Sequence, residues 1–370
     1  MGSMSSGDKS GGKVHRHVKK RKPIEKQWRK GESRWKYGGD GASDGDFLER
    51  KLVAPRAFHL ANTEGERDAI VIQTGGAHTI LLDGDAQLSG KPRRSTTSEN
   101  GEATLVTIGD RVRYIRTGPD DAIITHVYER CSWLLRRSIR ATDFAQVMVA
   151  NIDMVIATAA ASAELLRPGL IDRYLVAAAM GNLDACVVIN KIDLPDEEDR
   201  QFVEEIADMY RDCGYETLLT SCVTGEGIDE LAETTRGKLS AFSGHSGVGK
   251  TSLLNLLIPD LNEKIGELSE QSQRGIHTTS RSTLHALPDG GFLADTPGIR
   301  EFALFRADPA TLHTYYPDFM RVADDCRFPS CTHTHEPDCA VIAAVEREDI
   351  HPYRYRNYCQ ILENETPQSY

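Results

Sequence analysis

Gly244-His-Ser-Gly-Val-Gly-Lys250-Thr251 follows directly on the apolar run Leu239-Ser-Ala-Phe-Ser243, and the reading of the 370-residue chain starts there. The stretch fits G-x-x-x-x-G-K-[S/T], a loop that cradles phosphates. Gly244, Gly247 and Gly249 let the backbone turn tightly enough for successive N–H groups to converge on phosphate oxygens. Lys250 supplies a point charge for the outer phosphates, and the Thr251 hydroxyl stands where Mg²⁺ is ligated. Ser252 to Leu257 reads as a helix whose positive N-terminal end faces the anion. A strand before the loop and a helix after it predict a nucleotide-phosphate site in an α/β domain.

Working outward, apolar runs alternate with helical patterns from Met148 onward. Met154–Thr158, Ala185–Ile189, Thr217–Thr220 and Gly291–Ala294 read as strands; Pro168–Met180, Glu198–Arg211 and Gly227–Lys238 read as helices. Asn190-Lys-Ile-Asp193 closes one of these strands. Its Asp193 carboxylate can accept from both the ring N–H and the exocyclic amine of guanine, a donor pair that adenine lacks. Asn190 braces the loop, the Lys191 stem can lie over the base, and the turn Thr220-Ser221-Cys222 is placed to offer a backbone N–H to the guanine oxygen. Asp295-Thr-Pro-Gly298 suits an aspartate near Mg²⁺ and a glycine N–H near the γ-phosphate. Between them, Gly275-Ile-His-Thr-Thr-Ser280 predicts a switch in which a threonine ligates Mg²⁺ while the γ-phosphate is present. Thr279 is favoured there over Thr278. Ile299 stands where Ras-type proteins carry the glutamine that orients water, which makes His277 the candidate for that role, against a purely structural one. The base-reading elements precede the phosphate loop, so the chain resembles a circularly permuted GTPase.

The flanks differ in composition. Residues 1 to 37 carry 12 Lys/Arg against 3 Asp/Glu, although the whole chain has net charge -11. A basic arm with Trp28, Trp35 and Tyr37 on an acidic body suits RNA; the alternative is a solubilising end. No apolar core follows the basic start, which predicts no secretory signal. The longest apolar run, Met154 to Ala163, is too short to span a membrane. From Asp68 to Arg137, Ala69–Gln73, Thr79–Leu82, Ala103–Thr107, Arg111–Ile115 and Ala122–Val127 alternate between turn residues. That pattern predicts a small barrel of the oligonucleotide-binding (OB) type, with Lys91, Arg93 and Arg94 in a loop over 83–101. A barrel with no nucleic-acid role is the alternative.

Eight cysteines without a signal argue for a reducing compartment. Cys326, Cys331, His333 and Cys339 cluster within 14 residues as the ligand set of one structural Zn²⁺, with His335 a second choice to His333. Further on, Arg354, Tyr355, Arg356 and Tyr358 read as a basic-aromatic patch suited to RNA.

The barrel, the permuted order, Gly-x-Ser-Gly-Val-Gly-Lys, His-Thr-Thr, Asp-Thr-Pro-Gly and C-x4-C-x-H-x5-C together resemble the RsgA/YjeQ family over about residues 65–365. The resemblance implies a GTPase of late small-subunit maturation. Such a protein binds the small ribosomal subunit and its rRNA, is stimulated by the subunit, and works in the cytoplasm beside other assembly factors. It also carries guanine contacts onto Asn190, Lys191 and Asp193, the phosphate loop onto Gly244–Ser252 including Val248, Mg²⁺ onto Thr251 and Thr279, and zinc onto the Cys/His cluster. His245 and Thr251 stand where the family more usually has Gln and Ser. The expectation is therefore a multi-domain chain. A basic flexible arm (1–50) precedes an OB-type barrel (51–140), a circularly permuted GTPase domain (141–318) and a mainly helical zinc-binding module (319–370). It uses GTP/GDP, Mg²⁺ and one Zn²⁺, as a monomer away from membranes. The alternative is a GTP-responsive RNA-binding module with little hydrolysis.

Overall fold

The computed structural model describes residues 65–75, 78–98, 106–137, 145–162, 164–259, 261, 281–296 and 307–365. The chain divides into units Met1–Leu60 and Ala61–Tyr370, and the basic arm lies outside the described residues.

Five strands form a closed barrel: β1 (Glu66–Gly75), β2 (His78–Asp83), β3 (Ala86–Ser98), β4 (Arg111–Arg116) and β5 (Asp121–Val127). They run in the order β1-β2-β3-β5-β4, with β4 pairing back on β1 and only the β3–β5 pair parallel among them. Alternation explains the inward set. Val112 and Tyr114 of Arg-Val-Arg-Tyr-Ile-Arg are buried with Val71, Leu81, Leu88 and Ile124, and the intervening positions turn outward. Two expectations fail here. Most of the segment expected to be a loop over 83–101 is strand β3, and Val106 and Thr107 are not in a strand. β3 contributes little apolar surface to the core beyond Leu88, so its own composition hides it. Gly90 is required because a Cβ there would lie 2.8 Å from the Leu81 side chain.

A hairpin, β6 (Trp133–Arg137) and β7 (Ala145–Ala150), follows the barrel. The Thr107 hydroxyl donates to the Met148 carbonyl (2.8 Å) and the Asn151 amide to the Gly109 carbonyl (2.9 Å). Asp110 is fully buried beneath Arg130, which reaches it with two N–H donors at 2.7 and 2.9 Å.

The second sheet region contains β8 (Met154–Ala160), β9 (Asp184–Asn190), β10 (Glu216–Thr220), β11 (Leu239–Ser243), β12 (Ser282–Ala286) and β13 (Phe292–Asp295). β10-β9-β8-β11-β13 are parallel neighbours, and β12 runs antiparallel between β13 and β1 of the barrel. Every residue of β8 and β11 is buried, because helices cover both faces. Val155, Val187 and Ile189 pack under α1 (Pro168–Met180) and α2 (Glu197–Asp212). Met154, Ile156 and Val188 face α3 (Ile228–Thr235) and α4 (Lys250–Leu257). α1 opens with Pro168, which fits a first turn, and α2 is capped by the Asp196 carboxylate accepting from the Asp199 amide at 3.0 Å. Sequence order runs outward from β8 to β10 on one side and from β11 to β13 on the other. The β8–β11 junction is therefore the crevice where such sheets bind ligands, beyond the strands' carboxyl ends.

Residues 307–365 pack around Leu312, Tyr316, Phe319, Val341, Tyr358 and Ile361, with helices α5 (Ala340–Glu346) and α6 (Pro352–Glu365). Val176 of α1 belongs to this cluster, so α1 is shared between the sheet and the C-terminal module.

Candidate guanine-nucleotide site and metal centre

Asn190 leaves β9 fully inside the protein, and its amide spans two loops. Its nitrogen donates to the Val248 carbonyl of the phosphate loop at 2.9 Å. Its oxygen accepts from the Thr220 hydroxyl at 3.1 Å and the Cys222 thiol at 3.6 Å. The approach leaves no room for a side chain at Gly249, where φ is 100° and a Cβ would lie 2.3 Å from the Asn190 nitrogen. The same Cβ position is 3.8 Å from Cε of Lys191, itself in the left-handed region at φ 68°. The 190–193 and 244–251 segments thus meet although 58 positions separate Asn190 from Val248.

Asp193 is aimed by Ser221. The Ser221 oxygen accepts from the amides of Val223 and Thr224, both at 3.1 Å, so its proton goes to the Asp193 carboxylate at 2.5 Å. The Ser221 N–H is occupied by the Glu226 carbonyl at 3.0 Å. Within the turn Thr220-Ser221-Cys222, expected to offer a backbone N–H to the guanine oxygen, the Ser221 side chain orients the Asp193 carboxylate. A serine at the end of a buried strand, one turn from an N-K-x-D loop, is the signal that could have found this.

In the phosphate loop, a Cβ at Gly244 would lie 2.2 Å from the Thr158 carbonyl of the neighbouring strand, so only glycine permits the close approach. Gly247 has φ 86° and open space around it, and Val248 is fully buried as the loop's anchor. Lys250 Nζ donates to the carbonyls of Gly244 and His245 at 2.7 Å each, which holds its charge over the cradle. Lys250, Thr251 and Ser252 open α4. Asp295 ends β13, whose Ala294 is level with Ala241 of β11, so its carboxylate belongs to the same edge of the sheet as the loop.

The Cys/His cluster is compact. The ligand atoms of Cys326, Cys331, His333 and Cys339 all lie within 4.8 Å of one another. Tetrahedral bonds of about 2.3 Å to sulfur and about 2.0 Å to nitrogen require S–S separations near ~3.8 Å and S–N near ~3.5 Å. The Sγ atoms of Cys326 and Cys339 are 3.9 Å apart, and His333 Nδ1 is 3.6 and 3.5 Å from them. The donor set fits Zn²⁺ through Nδ1. Amides of Ala340 and Ile342 point at the sulfurs of Cys326 and Cys339, at 3.3 and 3.5 Å, as donors to thiolates do. Burial pushes the His333 imidazole down to about 4, so it is neutral and able to ligate. Burial pushes the Cys331 thiol up to about 12, a cost that a divalent cation offsets. His335 is exposed with Nδ1 against the Thr334 hydroxyl and takes no part. Tyr355 and Tyr358 of α6 brace the loop by donating to the carbonyls of His333 (2.9 Å) and Thr332 (2.8 Å).

A family profile described as RsgA GTPase matches residues 127–305. A Chlorobaculum parvum protein named small ribosomal subunit biogenesis GTPase RsgA is 41% identical over 304 residues, covering 80% of this chain and 97% of that protein. This chain belongs to the RsgA family.

A Bacteroides fragilis protein with the same RsgA name is 33% identical over 265 residues, covering 72% of this chain and 86% of its own length. Among solved structures, YjeQ from Thermotoga maritima superposes with a TM-score of 0.69 at 30% identity, covering 82% of this chain and all 100% of that one. A structure described as YloQ, a circularly permuted GTPase, shares the fold with a TM-score of 0.65 at 24% identity, covering 84% and 100%.

Four positions expected in the site of this RsgA-family chain, His277, Thr278, Thr279 and Gly298, lie outside the described residues, as does Ile299. The RNA patch read over 354–358 is corrected at Arg354 and Tyr358, while Arg356 is exposed and Tyr355 half-buried. Arg354 is 1% exposed and Tyr358 fully buried, because α6 turns that face onto the module core and α1. Among the described residues, no helix is long and apolar enough to cross a membrane.

Proposed function

We propose that this chain hydrolyses GTP during late maturation of the small ribosomal subunit, binding rRNA and being stimulated by the subunit. The observation that carries this reading is the Asn190 amide joined to Val248, which gives one nucleotide both a guanine clamp and a phosphate cradle. In this reading Asp193, held by Ser221, accepts from guanine, and Lys191 covers the base. Gly244 to Ser252 hold the phosphates, with Lys250 balancing their charge. Thr251, Thr279 and Asp295 would hold Mg²⁺, which neutralises charge on the β- and γ-oxygens when bound. Thr279, Gly298 and His277 enter on their sequence positions alone: Gly298 as the γ-phosphate amide and His277 as the group orienting water.

The strand order β1-β2-β3-β5-β4 with a parallel β3–β5 pair supports an OB-type barrel, and the names of the relatives support the subunit as partner. We take the domains as 1–50, 51–140, 141–318 and 319–370, the last a mainly helical module around one structural Zn²⁺. The place of work is the cytoplasm and the chain acts as a monomer; other assembly factors are further partners. GTP turnover measured with and without purified small subunits tests this, with at least about a tenfold rise as the expected result. An unchanged rate sinks the coupling. Ile299, where glutamine would orient water, supports a second reading as a GTP-responsive RNA binder. Absent phosphate release in a single turnover on saturating subunits selects it.

A further inference from the structure

Thr283 stands in one row across three strands: it is level with Gln73 of the barrel strand β1 on one side and with Asp295 of β13 on the other. β12 has those two strands as its only neighbours among the described ones. The β1–β12 ladder consists of two pairs, Gln73 with Thr283 and Thr74 with Ser282. Just beyond it, Gly75 lies against Arg281, where a Cβ would come within 2.8 Å of the Arg281 Cγ and 3.1 Å of its Cα. The same strand β1 closes the barrel through its pairs with β4 and β2. Gln73, Thr283 and Asp295 are all half-buried, so the row is neither locked in a core nor loose in solvent. Residues level on adjacent strands sit on one face at about 4.5–5.5 Å, and a displacement of the middle one is felt by both neighbours.

Resting on the reading of Asp295 as a Mg²⁺-side carboxylate, we propose that Thr283 is a positioning residue for Asp295. The row from Gln73 through Thr283 to Asp295 makes the Mg²⁺ requirement of GTP hydrolysis depend on the seating of the barrel. The barrel edge acts as a fence against which β12 rests, and β12 in turn sets where the aspartate stands. Ile72, Leu284 and Ala294, the chain neighbours of Gln73, Thr283 and Asp295, share one buried cluster, so a shift of β1 is passed to β12 and β13 through packed side chains.

Gly75→Val in the full chain puts a branched side chain against Arg281 and lifts β12 from β1 without touching the guanine clamp. GTP turnover is measured against Mg²⁺ concentration, beside GDP affinity. The Mg²⁺ concentration for half-maximal turnover is expected to rise at least about fivefold, the lower end of usual site-to-site coupling. GDP affinity is expected to stay within about twofold. Arg281→Ala in the same background removes the Cγ and is expected to bring the Mg²⁺ curve back towards the parent. General loss of stability does not produce that reversal. A folded Gly75→Val protein whose Mg²⁺ curve superimposes on the parent's overturns the proposal. If Gly75→Val does not fold, amide exchange in the unaltered chain decides. Protection over Gln73–Gly75 must change at least about fivefold when Mg²⁺ is added to protein loaded with a GTP analogue, and equal protection overturns the proposal. Asp295→Asn separates the two layers. If it leaves the Mg²⁺ requirement unmoved, the role given to Asp295 fails; if it raises the requirement while Gly75→Val does not, the row alone fails.

Discussion

Replacing Arg354 by methionine removes the bolt between the C-terminal module and the nucleotide-binding domain. Arg354 is 1% exposed, and its guanidinium bonds Asp172 of α1 and, at 2.8 Å, Asp318. Asp172 is fully buried and also accepts from Asn357 (2.6 Å) and Tyr210 (3.1 Å); Asp318 is 5% exposed. The guanidinium lies 4.5 Å from the Tyr316 ring centroid, so methionine fits the slot by shape but leaves two carboxylates facing each other without a cation. Breaking a buried ion pair from one side costs about 3–5 kcal/mol, and with two acids stranded the upper end applies. At about 2–4 °C per kcal/mol for a domain of this size, the unfolding midpoint should fall by roughly 10–20 °C. The loss should also depend on pH. Burial raises the Asp172 carboxyl above its usual range and Arg354 opposes that rise, so removing Arg354 raises it further. A carboxyl that holds its proton more tightly when folded adds stability below its unfolded value and loses it as pH climbs through the folded one. The deficit of the variant should therefore be larger at pH 8 than at pH 5. Thermal unfolding at the two pH values measures this, with Arg354→Met/Asp172→Asn/Asp318→Asn as the neutralised partner that should recover most of the loss. A deficit under about 1 kcal/mol, or one flat in pH, refutes the reasoning.

Three further outcomes follow from the nucleotide and zinc sites. Asp193→Asn should cost guanine about a hundredfold or more in affinity and move preference towards xanthine, read by competition between the two nucleotides. Gly249→Ala forces a Cβ to 2.3 Å from the Asn190 nitrogen at φ 100°, so GTP and GDP affinity should both drop at least about tenfold in equilibrium titration. Stripping zinc with a chelator should free the loop braced by Tyr355 and Tyr358, seen as protease cutting between 326 and 339, and added Zn²⁺ should restore protection.

The local backbone around 190–193 and 244–251 was legible because its signals are local: glycines that take positive φ and a four-residue loop closing a buried strand each carry their geometry in their own spacing. The hydroxyl contact of Ser221 was not foreseen, since its acceptor, Asp193, lies 28 positions earlier on another strand's loop. β3 was missed because its first nine residues, Ala86 to Arg94, carry no β-branched side chain and include Gly90 and Pro92; its place comes from β2 on one side and β5 on the other. The patch over 354–358 was misread although helical spacing was available. Arg354, Tyr358 and Ile361 are at i, i+4 and i+7, which is a buried face, and α6 buries all three. No spacing rule foresees the partner of that arginine, because Asp172 lies 182 positions earlier.

Those two attachments bear on where motion can go. The C-terminal module shares Val176 of α1 with its own core and is bolted to Asp172 of the same helix, while Ile171, Tyr174 and Leu175 tie α1 to the sheet. To swing, it would have to unpack a core and strand buried charge, each costing several kcal/mol. The barrel is held differently. Thr107, Gly109 and Asp110 join it to 148–151 and to Arg130 through buried polar bonds beside the chain connection, a natural pivot. Its other strand pairing with that sheet, among the described residues, is the two-pair ladder on β12, beside which Ile72 of β1 packs in one buried cluster with Leu284 and Ala294. A shift of β1 is therefore passed through packed side chains to β12 and β13, whereas the C-terminal module is joined to the sheet through α1.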